Sequence, residues 1–357
     1  MKVGITYDLK DDYIKMGYSA EESAEFDSEE TISGIETSLK RLGYEVERIG
    51  NVKALIKKLA EGSKWDLVFN IAEGMYGYGR ESQVPAILDA YQIPYTFSDP
   101  MVLALTLHKG MAKNIIKSKG LHTPDFYVVK KVEDVKKINL KYPLFVKPVA
   151  EGTGKGISRK SIVNNVDELT SICRELIVKF KQPALVEEFL PGREFTVGVG
   201  GTGRNSFVMG VTEVIFSEED NEVYGYNNKA HYEKHIKYIK PDVNDEKKCA
   251  KLALAAWKAL ECRDAGRVDI RYDAKANPNF IEVNPLAGLN PVHSDLPILC
   301  RQNNISFDDL IFNVIKSSIR RIKSRKIRKN FLDDYAKRLD HEYIEEMSNT
   351  DENEIII

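Results

Sequence analysis

The sequence lacks three features that would narrow the class of protein at once: a long apolar run, clustered cysteines and a charge bias. No apolar stretch approaches the ~20 residues that a membrane-spanning helix requires, and residues 1–7 have strand character rather than a signal-peptide core. The four cysteines, Cys173, Cys249, Cys262 and Cys300, show no CxxC spacing, which argues against a zinc site or a disulfide framework. A formal net charge of −2 over 357 residues gives no general reason to expect nucleic-acid binding. We therefore expect a cytoplasmic protein with reduced cysteines, no membrane span and no nucleic-acid partner.

Hydrophobic periodicity divides the chain into three units and a tail. Residues 1–108 alternate strand-like and helix-like segments, which predicts an α/β unit with a mainly parallel sheet. Residues 109–193 and 194–322 form a second and a third mixed unit, and residues 323–357 are a charged tail. We therefore predict an α/β protein with α+β elements and domain boundaries near residues 108, 193 and 322. The length agrees with two or three domains.

Apolar spacing also predicts individual elements. Helices are expected at 29–42, 84–90, 109–119, 166–180, 246–260 and 308–319. Strands are expected at 3–7, 45–49, 67–69, 126–129, 144–147, 185–188 and 195–199.

The stretch from Gly266 to Pro285 reads as two strands joined by a turn at residues 273–279, which are rich in Asp, Asn and Pro. Because side chains alternate across a strand, Arg267 shares a face with Asp269, and Glu282 shares a face with Asn284. Two carboxylates and an amide suit Mg²⁺, which commonly combines one or two carboxylates with substrate phosphates. For Asp269 alone a solvated strand face is the simpler explanation, but the apolar residues around the whole set of four favour a metal site.

A glycine-rich turn at residues 151–158 follows a strand that ends in Lys147. Glycines let backbone N–H groups approach an anion closely, so this turn is a candidate phosphate site beside a fixed lysine. A Walker A loop is excluded because Val149 and Gly156 stand where that motif has glycine and Ser or Thr. A Rossmann fingerprint is excluded by the position of the turn in the middle of the chain. The alternative is a flexible hairpin loop without a ligand.

The order of these pieces resembles the ATP-grasp fold, and within it the D-alanine–D-alanine ligase family. Lys109 opens the second unit, the Lys147 strand and its glycine turn follow, then come the segment VEEFLPGREFTV (186–197) and the GRVDI and IEVNP strands. The resemblance covers roughly residues 1 to 320. It implies an ATP-grasp fold preceded by a Rossmann-like domain, with ATP and two Mg²⁺ ions, replaceable by Mn²⁺, as cofactors.

The resemblance also implies roles for individual residues. The expected nucleotide contacts are Lys109, Lys147, Glu151, Gly152, Thr153, Gly154, Gly156, Glu187, Glu188, Leu190 and Glu194. The expected metal ligands are Asp269, Glu282 and Asn284, and the expected catalytic residues are Arg267, Gly288 and Lys229. The expected substrate contacts are Thr153, His293 and Ser294.

Some positions depart from the family pattern. The family's first loop, a glycine pair followed by Ser and Glu, has no counterpart directly after the first strand, where an acidic insert spans residues 8–30. The glutamate that orients the first D-alanine is therefore not identified. The segment at 224–232 resembles the family's mobile loop, near which His231 and His235 are either solvated or sense substrate or pH.

The implied function is an ATP-dependent carboxylate–amine ligase that forms a peptide bond through an acyl phosphate. D-Alanine–D-alanine ligation for peptidoglycan is the family default, with small-molecule substrates and a homodimer as the expected assembly. A ligase for other amino acids or small carboxylates is the first alternative, which the altered substrate loops permit. A non-catalytic ATP-binding regulator is the second alternative. The presence of all the expected polar residues argues against it: Lys147, Arg267, Asp269, Glu282 and Asn284.

Overall fold

The computed structural model of the protein describes residues 1–216, 236–322 and 329–330. The predicted mobile loop with Lys229, and also His231 and His235, lie outside the described residues, as does most of the predicted tail. Within the described part of the chain, no helix is long and apolar enough to cross a membrane.

The first sheet is parallel, as predicted, with the strand order β2-β1-β3. Its strands are β1 (Lys2–Thr6), β2 (Glu45–Gly50) and β3 (Leu67–Asn70). The accompanying helices are α1 (Lys10–Lys15), α2 (Glu29–Arg41), α3 (Val52–Ala60), α4 (Gln83–Ala90) and α5 (Pro100–Leu107). Helix α2 begins after Ser28, whose side chain accepts a hydrogen bond from the Thr31 N–H. The chain leaves the helix through Gly43 at φ +76°, where glycine carries no steric penalty.

The central sheet is antiparallel, with the strand order β4-β7-β5-β6. Its strands are β4 (Phe126–Val129), β5 (Leu144–Pro148), β6 (Ile162–Val163) and β7 (Ala184–Glu188). Helix α6 (Lys109–Ser118) precedes this sheet, and α7 (Val166–Phe180) covers one of its faces. The apolar core beneath α7 fixes the direction of β5 and therefore the position of Lys147 near its end.

The third sheet is antiparallel, with the strand order β10-β9-β8-β11-β12. Its strands are β8 (Glu194–Gly200), β9 (Phe207–Phe216), β10 (Ile236–Ile239), β11 (Ala265–Tyr272) and β12 (Pro278–Asn284). Helix α8 (Val243–Ala259) packs on this sheet through the fully buried Trp257. Helices α9 (Asp295–Gln302) and α10 (Phe307–Arg321) belong to a core shared with the first sheet, and α9 also contacts β8 and β9.

The predicted secondary structure is largely confirmed, with end shifts of a few residues. The helix expected at 246–260 begins at Val243, because the Asp242 side chain caps it by accepting from two backbone N–H groups. All four cysteines are buried free thiols. The domain boundaries remain predictions.

Gly266 offers a test of the packing beneath the β11–β12 pair. A Cβ atom there would lie 2.5 Å from the Asn284 carbonyl oxygen and 2.8 Å from the Trp257 ring. Gly266→Ala should therefore lower the free energy of unfolding by about 1–3 kcal/mol, measured by urea denaturation. Gly79→Ala is the control, because its Cβ would meet nothing within 4 Å. Equal stability of the two variants would contradict the packing described here.

Candidate active site

The pairing of β11 with β12 brings the four predicted polar side chains together. Arg267 lies opposite Asn284, and Asp269 lies opposite Glu282, with a register shift just after Asp269. The Asp269 Oδ1 atom accepts a hydrogen bond of 2.9 Å from the hydroxyl of Thr196 on β8. Its Oδ2 atom lies 3.3 Å from both the Arg267 guanidinium and the Asn284 amide nitrogen. The predicted shared face is therefore present.

The donors on this face fit Mg²⁺ only with help from other ligands. Among the described residues, no group of three or more His, Cys, Asp and Glu side chains is arranged to hold a metal ion. The Asp269 and Glu282 carboxylates and the Asn284 amide are hard oxygen donors, which Mg²⁺ prefers. With two carboxylates, the ion would take its remaining ligands from phosphate oxygens and water. The residues thus fit a magnesium–nucleotide complex rather than a metal held by protein alone.

One cavity, of about 100 Å³, lies between the central sheet and the β11–β12 hairpin. It gathers most of the residues predicted to contact the nucleotide: Lys109, Lys147, Glu151, Gly152, Gly154, Glu187, Glu188, Leu190 and Glu194. Asp269 and Glu282 form the opposite wall, with Phe145, Ile157 and Phe189 among the apolar lining residues. We name this space the nucleotide cavity. This combination of charged and apolar lining residues suits a nucleotide base with attached phosphates.

Two of the residues predicted to contact the nucleotide do not line the nucleotide cavity. Thr153 lines the neighbouring cavity, and Gly156 lines neither. Gly156 has φ +73°, and a Cβ there would lie 2.6 Å from Pro148 and 2.8 Å from Phe180. The glycine therefore closes the turn through close packing.

A buried charge network forms the base of the nucleotide cavity. The Glu187 carboxylate lies 2.8 Å from both Lys147 and Lys113, and Lys113 also donates to the Thr123 hydroxyl at 2.8 Å. Burial opposes ionisation of Glu187, but the two lysine charges outweigh it and lower the pKa of this carboxyl. Burial also lowers the pKa of Lys113 to about 8, although Glu187 opposes the shift. Two lysines around one glutamate favour an anionic ligand.

Lys113 belongs to no recognisable sequence motif. It follows Lys109 by four positions on α6, so both side chains lie on the same face of the helix. That spacing was the available signal, but it does not reveal that Lys113 is completely buried.

The glycine-rich turn is held from below by Lys109 and carries local strain. The Lys109 ammonium donates to the Glu151 carbonyl at 2.5 Å and lies 3.5 Å from the Glu282 carboxylate. Thr153 adopts φ +49°, a left-handed conformation that is costly for a β-branched residue. Its hydroxyl oxygen is buried and has no hydrogen-bond partner among the described residues. A strained residue with an unsatisfied buried hydroxyl is the kind of position that a ligand completes.

A second cavity, of about 230 Å³, lies on the other side of Lys109 and Glu282. Its lining includes the predicted catalytic and substrate residues Thr153, Arg267, Gly288, His293 and Ser294. We name it the substrate cavity. Lys109, Glu151, Gly152 and Glu282 line both cavities, so the two spaces meet at the predicted metal carboxylate.

Asp295, at the start of α9, positions Arg267 in the substrate cavity. The Arg267 guanidinium forms an ion pair with Asp295 as well as with Asp269. The Tyr238 hydroxyl donates to the other oxygen of Asp295 at 2.6 Å. The arginine is thus held at the junction of β11 and α9, where its charge faces the cavity that it lines. No sequence motif points to Asp295 or Tyr238.

Glu25 brings the acidic insert into the site. Its carboxylate accepts from the Gly152 N–H at 2.6 Å and the Arg80 guanidinium at 2.9 Å, and lies 3.3 Å from Lys155. Burial opposes ionisation, but Arg80 and Lys155 lower the pKa of Glu25 to about 2. Ser23 and Glu25 lie in the insert between α1 and α2 rather than directly after β1. Sequence reasoning missed Glu25, because its partners Arg80, Gly152 and Lys155 are distant in the sequence.

Comparisons with known proteins agree with this geometry. The family model described as the D-ala D-ala ligase C-terminus matches residues 115–316. The chain is 32% identical over 292 residues to the D-alanine–D-alanine ligase of Actinobacillus pleuropneumoniae serotype 5b, covering 80% of this chain and 91% of that protein. The chain belongs to the D-alanine–D-alanine ligase family.

Structural neighbours of this family member show the same fold. A crystal structure of the Bacillus anthracis D-alanine–D-alanine ligase complexed with ATP superposes with a TM-score of 0.68 at 23% identity, covering 90% of this chain and 98% of that one. The VanG D-Ala:D-Ser ligase from Enterococcus faecalis gives a TM-score of 0.67 at 21% identity, covering 89% and 99%. The predicted ATP-grasp fold is confirmed.

Glu25 gives this family member a pH-dependent contribution to stability. A carboxyl whose folded pKa is lowered stabilises the protein above its unfolded pKa, and that contribution is lost as the pH falls through the folded pKa. Glu25→Gln should therefore lower the free energy of unfolding at pH 7 by on the order of 3 kcal/mol, from a pKa near 2 against 4.5. The difference from the native protein should shrink as the pH falls below about 4.5.

Urea denaturation between pH 7 and pH 3 measures this difference. Glu21→Gln, at an exposed ion pair with Lys179, is the matched control and should change stability by less than about 1 kcal/mol. A constant deficit for Glu25→Gln across this range would contradict the ionised, paired state of Glu25.

Proposed function

We propose that the protein is an ATP-dependent ligase that joins two amino acids, with D-alanine in both positions as the family default and peptidoglycan precursors as the setting. The wall shared by the two cavities is the main support for this proposal. Four residues line both cavities: Lys109, Glu151, Gly152 and Glu282. A nucleotide phosphate in the nucleotide cavity would therefore face the carboxylate of an amino-acid substrate in the substrate cavity. An oxygen of the substrate carboxylate attacks the γ-phosphorus of ATP, and ADP leaves. An amine then attacks the acyl carbon and phosphate leaves.

In this scheme the residues of the protein mainly bind the nucleotide and the amino acids and orient them for reaction. Lys109 and Lys147 present ammonium groups to the phosphates, and Lys113 keeps Glu187 and the base of the nucleotide cavity in place. Asp269, Glu282 and Asn284 would hold Mg²⁺, which when bound neutralises phosphate charge and polarises the transferred group. The turn at 151–158 closes over the phosphates and excludes water, which would otherwise hydrolyse the acyl phosphate.

Arg267 and the backbone near Gly288 serve as the oxyanion site of the second step. Asp295 and Asp269 hold the guanidinium in place, so little reorganisation is needed when negative charge develops on the acyl oxygen. Donors of this kind each contribute about 3 kcal/mol to stabilising the transition state. His293 and Ser294 occupy the end of the same cavity and would contact the second substrate.

A ligase for other amino acids is the second candidate function. Residues 285–289 read PLAGL, where the family usually has Thr-Ser-Pro-Gly-Met, and Glu73 and Glu81 add negative charge to the substrate cavity. A fold neighbour is itself a D-Ala:D-Ser ligase, so this fold accommodates more than one second substrate. A homodimer, a cytoplasmic location and the three-domain division belong to the same proposal.

ADP release with a panel of D- and L-amino acids tests the ligase directly. In the presence of ATP and Mg²⁺, D-alanine should give ADP, phosphate and the dipeptide, identified by mass spectrometry. Turnover with a different amino acid alone would establish the second candidate. Measurable ATP binding with no turnover on any carboxylate would contradict both.

The metal assignment has its own test in Asp269→Asn. Replacing one of two carboxylates should reduce kcat for ADP release by about 100-fold or more and raise the Mg²⁺ concentration needed. Asp273→Asn, in the turn of the same hairpin, is the matched control, because asparagine keeps an acceptor for the Lys275 and Asn277 N–H groups. Full activity of Asp269→Asn at low Mg²⁺ would show that the metal lies elsewhere.

A further inference from the structure

The segment that joins β12 to α9 carries two of the predicted substrate contacts. Residues 285–294, all within the described part of the chain, form neither helix nor strand. His293 and Ser294 line the substrate cavity at the end of this segment. Regular secondary structure therefore does not fix the direction of these two side chains. Other hydrogen bonds have to do so, and Asn290 supplies several of them.

The side-chain oxygen of Asn290 shapes the turn formed by residues 290–294. Its Oδ1 atom accepts from the Val292 and His293 N–H groups, each at 2.9 Å. The backbone N–H of Asn290 donates to the Ser294 hydroxyl at 3.0 Å, and its carbonyl accepts from the Ser294 N–H at 3.2 Å. An asparagine side chain that bonds the backbone two and three residues on takes the place of regular structure. Asn290 therefore sets the course of the chain through His293 and Ser294.

The amide nitrogen of the same side chain reaches the first unit of the protein. The Asn290 Nδ2 atom lies 3.1 Å from the Glu30 carboxylate, 3.3 Å from the Thr31 hydroxyl and 3.5 Å from the Ser28 hydroxyl. An amide nitrogen carries two donors, so it can serve two of these acceptors at once. The bond to Glu30 is strengthened by the charge of the carboxylate. The side chain thus anchors the 290–294 turn to the beginning of α2.

Close packing supports this anchor. A Cβ atom on Gly34 of α2 would lie 2.8 Å from the Pro291 ring, so the helix and the turn are in direct contact. Ile35 of α2 and Leu289, which precedes the turn, belong to one apolar core. Apolar packing is not directional, whereas the hydrogen bonds of Asn290 specify one orientation of the turn against the helix.

Ser294 lies where this orientation affects the proposed chemistry. A Cβ atom on Gly288 would lie 2.9 Å from the Ser294 hydroxyl oxygen, so the hydroxyl stands beside the predicted oxyanion backbone. The bond from the Asn290 N–H occupies one lone pair of that oxygen. The hydroxyl proton can then be donated to a ligand in the cavity that Ser294 lines.

We propose that Asn290 is a positioning residue for the second amino acid. Its Oδ1 atom orders the turn that presents His293 and Ser294, and its Nδ2 atom fixes that turn against α2. The inference rests on the proposed ligase function and adds a residue that acts through the turn, because Asn290 lines neither cavity in the described structure. The site for the second amino acid is thus built by the first and third units together.

Steady-state ADP release by the full-length protein tests the positioning role, with ATP, Mg²⁺ and the amino acid that supports turnover. Asn290→Ala should raise the apparent KM for the amino acid by about 10-fold or more and leave the KM for ATP within about twofold. A variant that merely folds poorly would lose kcat through a smaller active fraction and keep both KM values. Asn139→Ala is the control, because Asn139 is exposed and has no hydrogen-bond partner among the described residues.

Reversing the donor and the acceptor tests the anchor to α2. Asn290→Asp keeps an oxygen for the Val292 and His293 N–H groups, but it loses the amide donor and places a second carboxylate against Glu30. This variant should also raise the apparent KM for the amino acid. Adding Glu30→Gln returns a donor from the opposite side, so the double variant should recover to within about threefold of the native KM. A native KM for Asn290→Asp, or no recovery in the double variant, would overturn the anchor.

Hydrogen exchange measures the order of the turn without any turnover. In Asn290→Ala the Val292 and His293 amides lose the Oδ1 acceptor, so they should exchange about 10-fold faster or more. In Asn290→Asp these two amides should keep their protection. Equal exchange in Asn290→Ala and the native protein would show that Asn290 does not order the turn.

The two assays separate failure of the positioning role from failure of the proposed function. Turnover by Asn290→Ala with an unchanged KM for the amino acid would refute the positioning role and leave the ligase intact. A native protein that turns over no amino acid would refute the ligase, whereas faster exchange in Asn290→Ala would still support the ordering of the turn by Asn290.

Discussion

The register between β11 and β12 is the constraint on which the rest of the site depends. It sets Asp269 opposite Glu282 and Arg267 opposite Asn284. The pair is fixed on one side by β8 and beneath by Trp257. The Phe280 carbonyl in β12 also accepts from Thr123 at 2.7 Å, which ties the hairpin to the chain entering the central sheet. A slip of one residue in β12 would turn Glu282 and Asn284 to the opposite face from Arg267 and Asp269.

The two cavities on either side of Lys109 and Glu282 differ in where their buried charges lie. The nucleotide cavity is built over Lys113 and Lys147 with a single shared carboxylate, so its base carries an excess of positive charge. The substrate cavity has Glu25, Glu73 and Glu81 on one wall. Burying like charges together is costly in an isolated protein. The cost is offset when the ligands bring the complementary charges, which makes affinity and stability opposing requirements at these positions.

Sequence patterns predicted the parts of the site that are local along the chain. The alternation in β11 and β12, the lysine of β5 and the glycine turn all follow from spacing within a few residues. The family resemblance added the nucleotide contacts at β7, most of which line one cavity. Glu25, Lys113 and Asp295 could not be derived in this way. Their importance depends on partners far away in sequence, such as Gly152 for Glu25 and Glu187 for Lys113, and on burial that composition does not reveal.

The hydrogen bond between Glu25 and the Gly152 N–H joins the insert that follows β1 to the glycine-rich turn. Gly152 also lines both cavities. If a ligand in one cavity shifts this contact, the free energy of binding in the other cavity changes with it, and by thermodynamic linkage the change is equal in both directions. Under the proposed function the nucleotide and the amino acid would then be mutual effectors, and the affinity of either would be defined only when the occupancy of the other is stated.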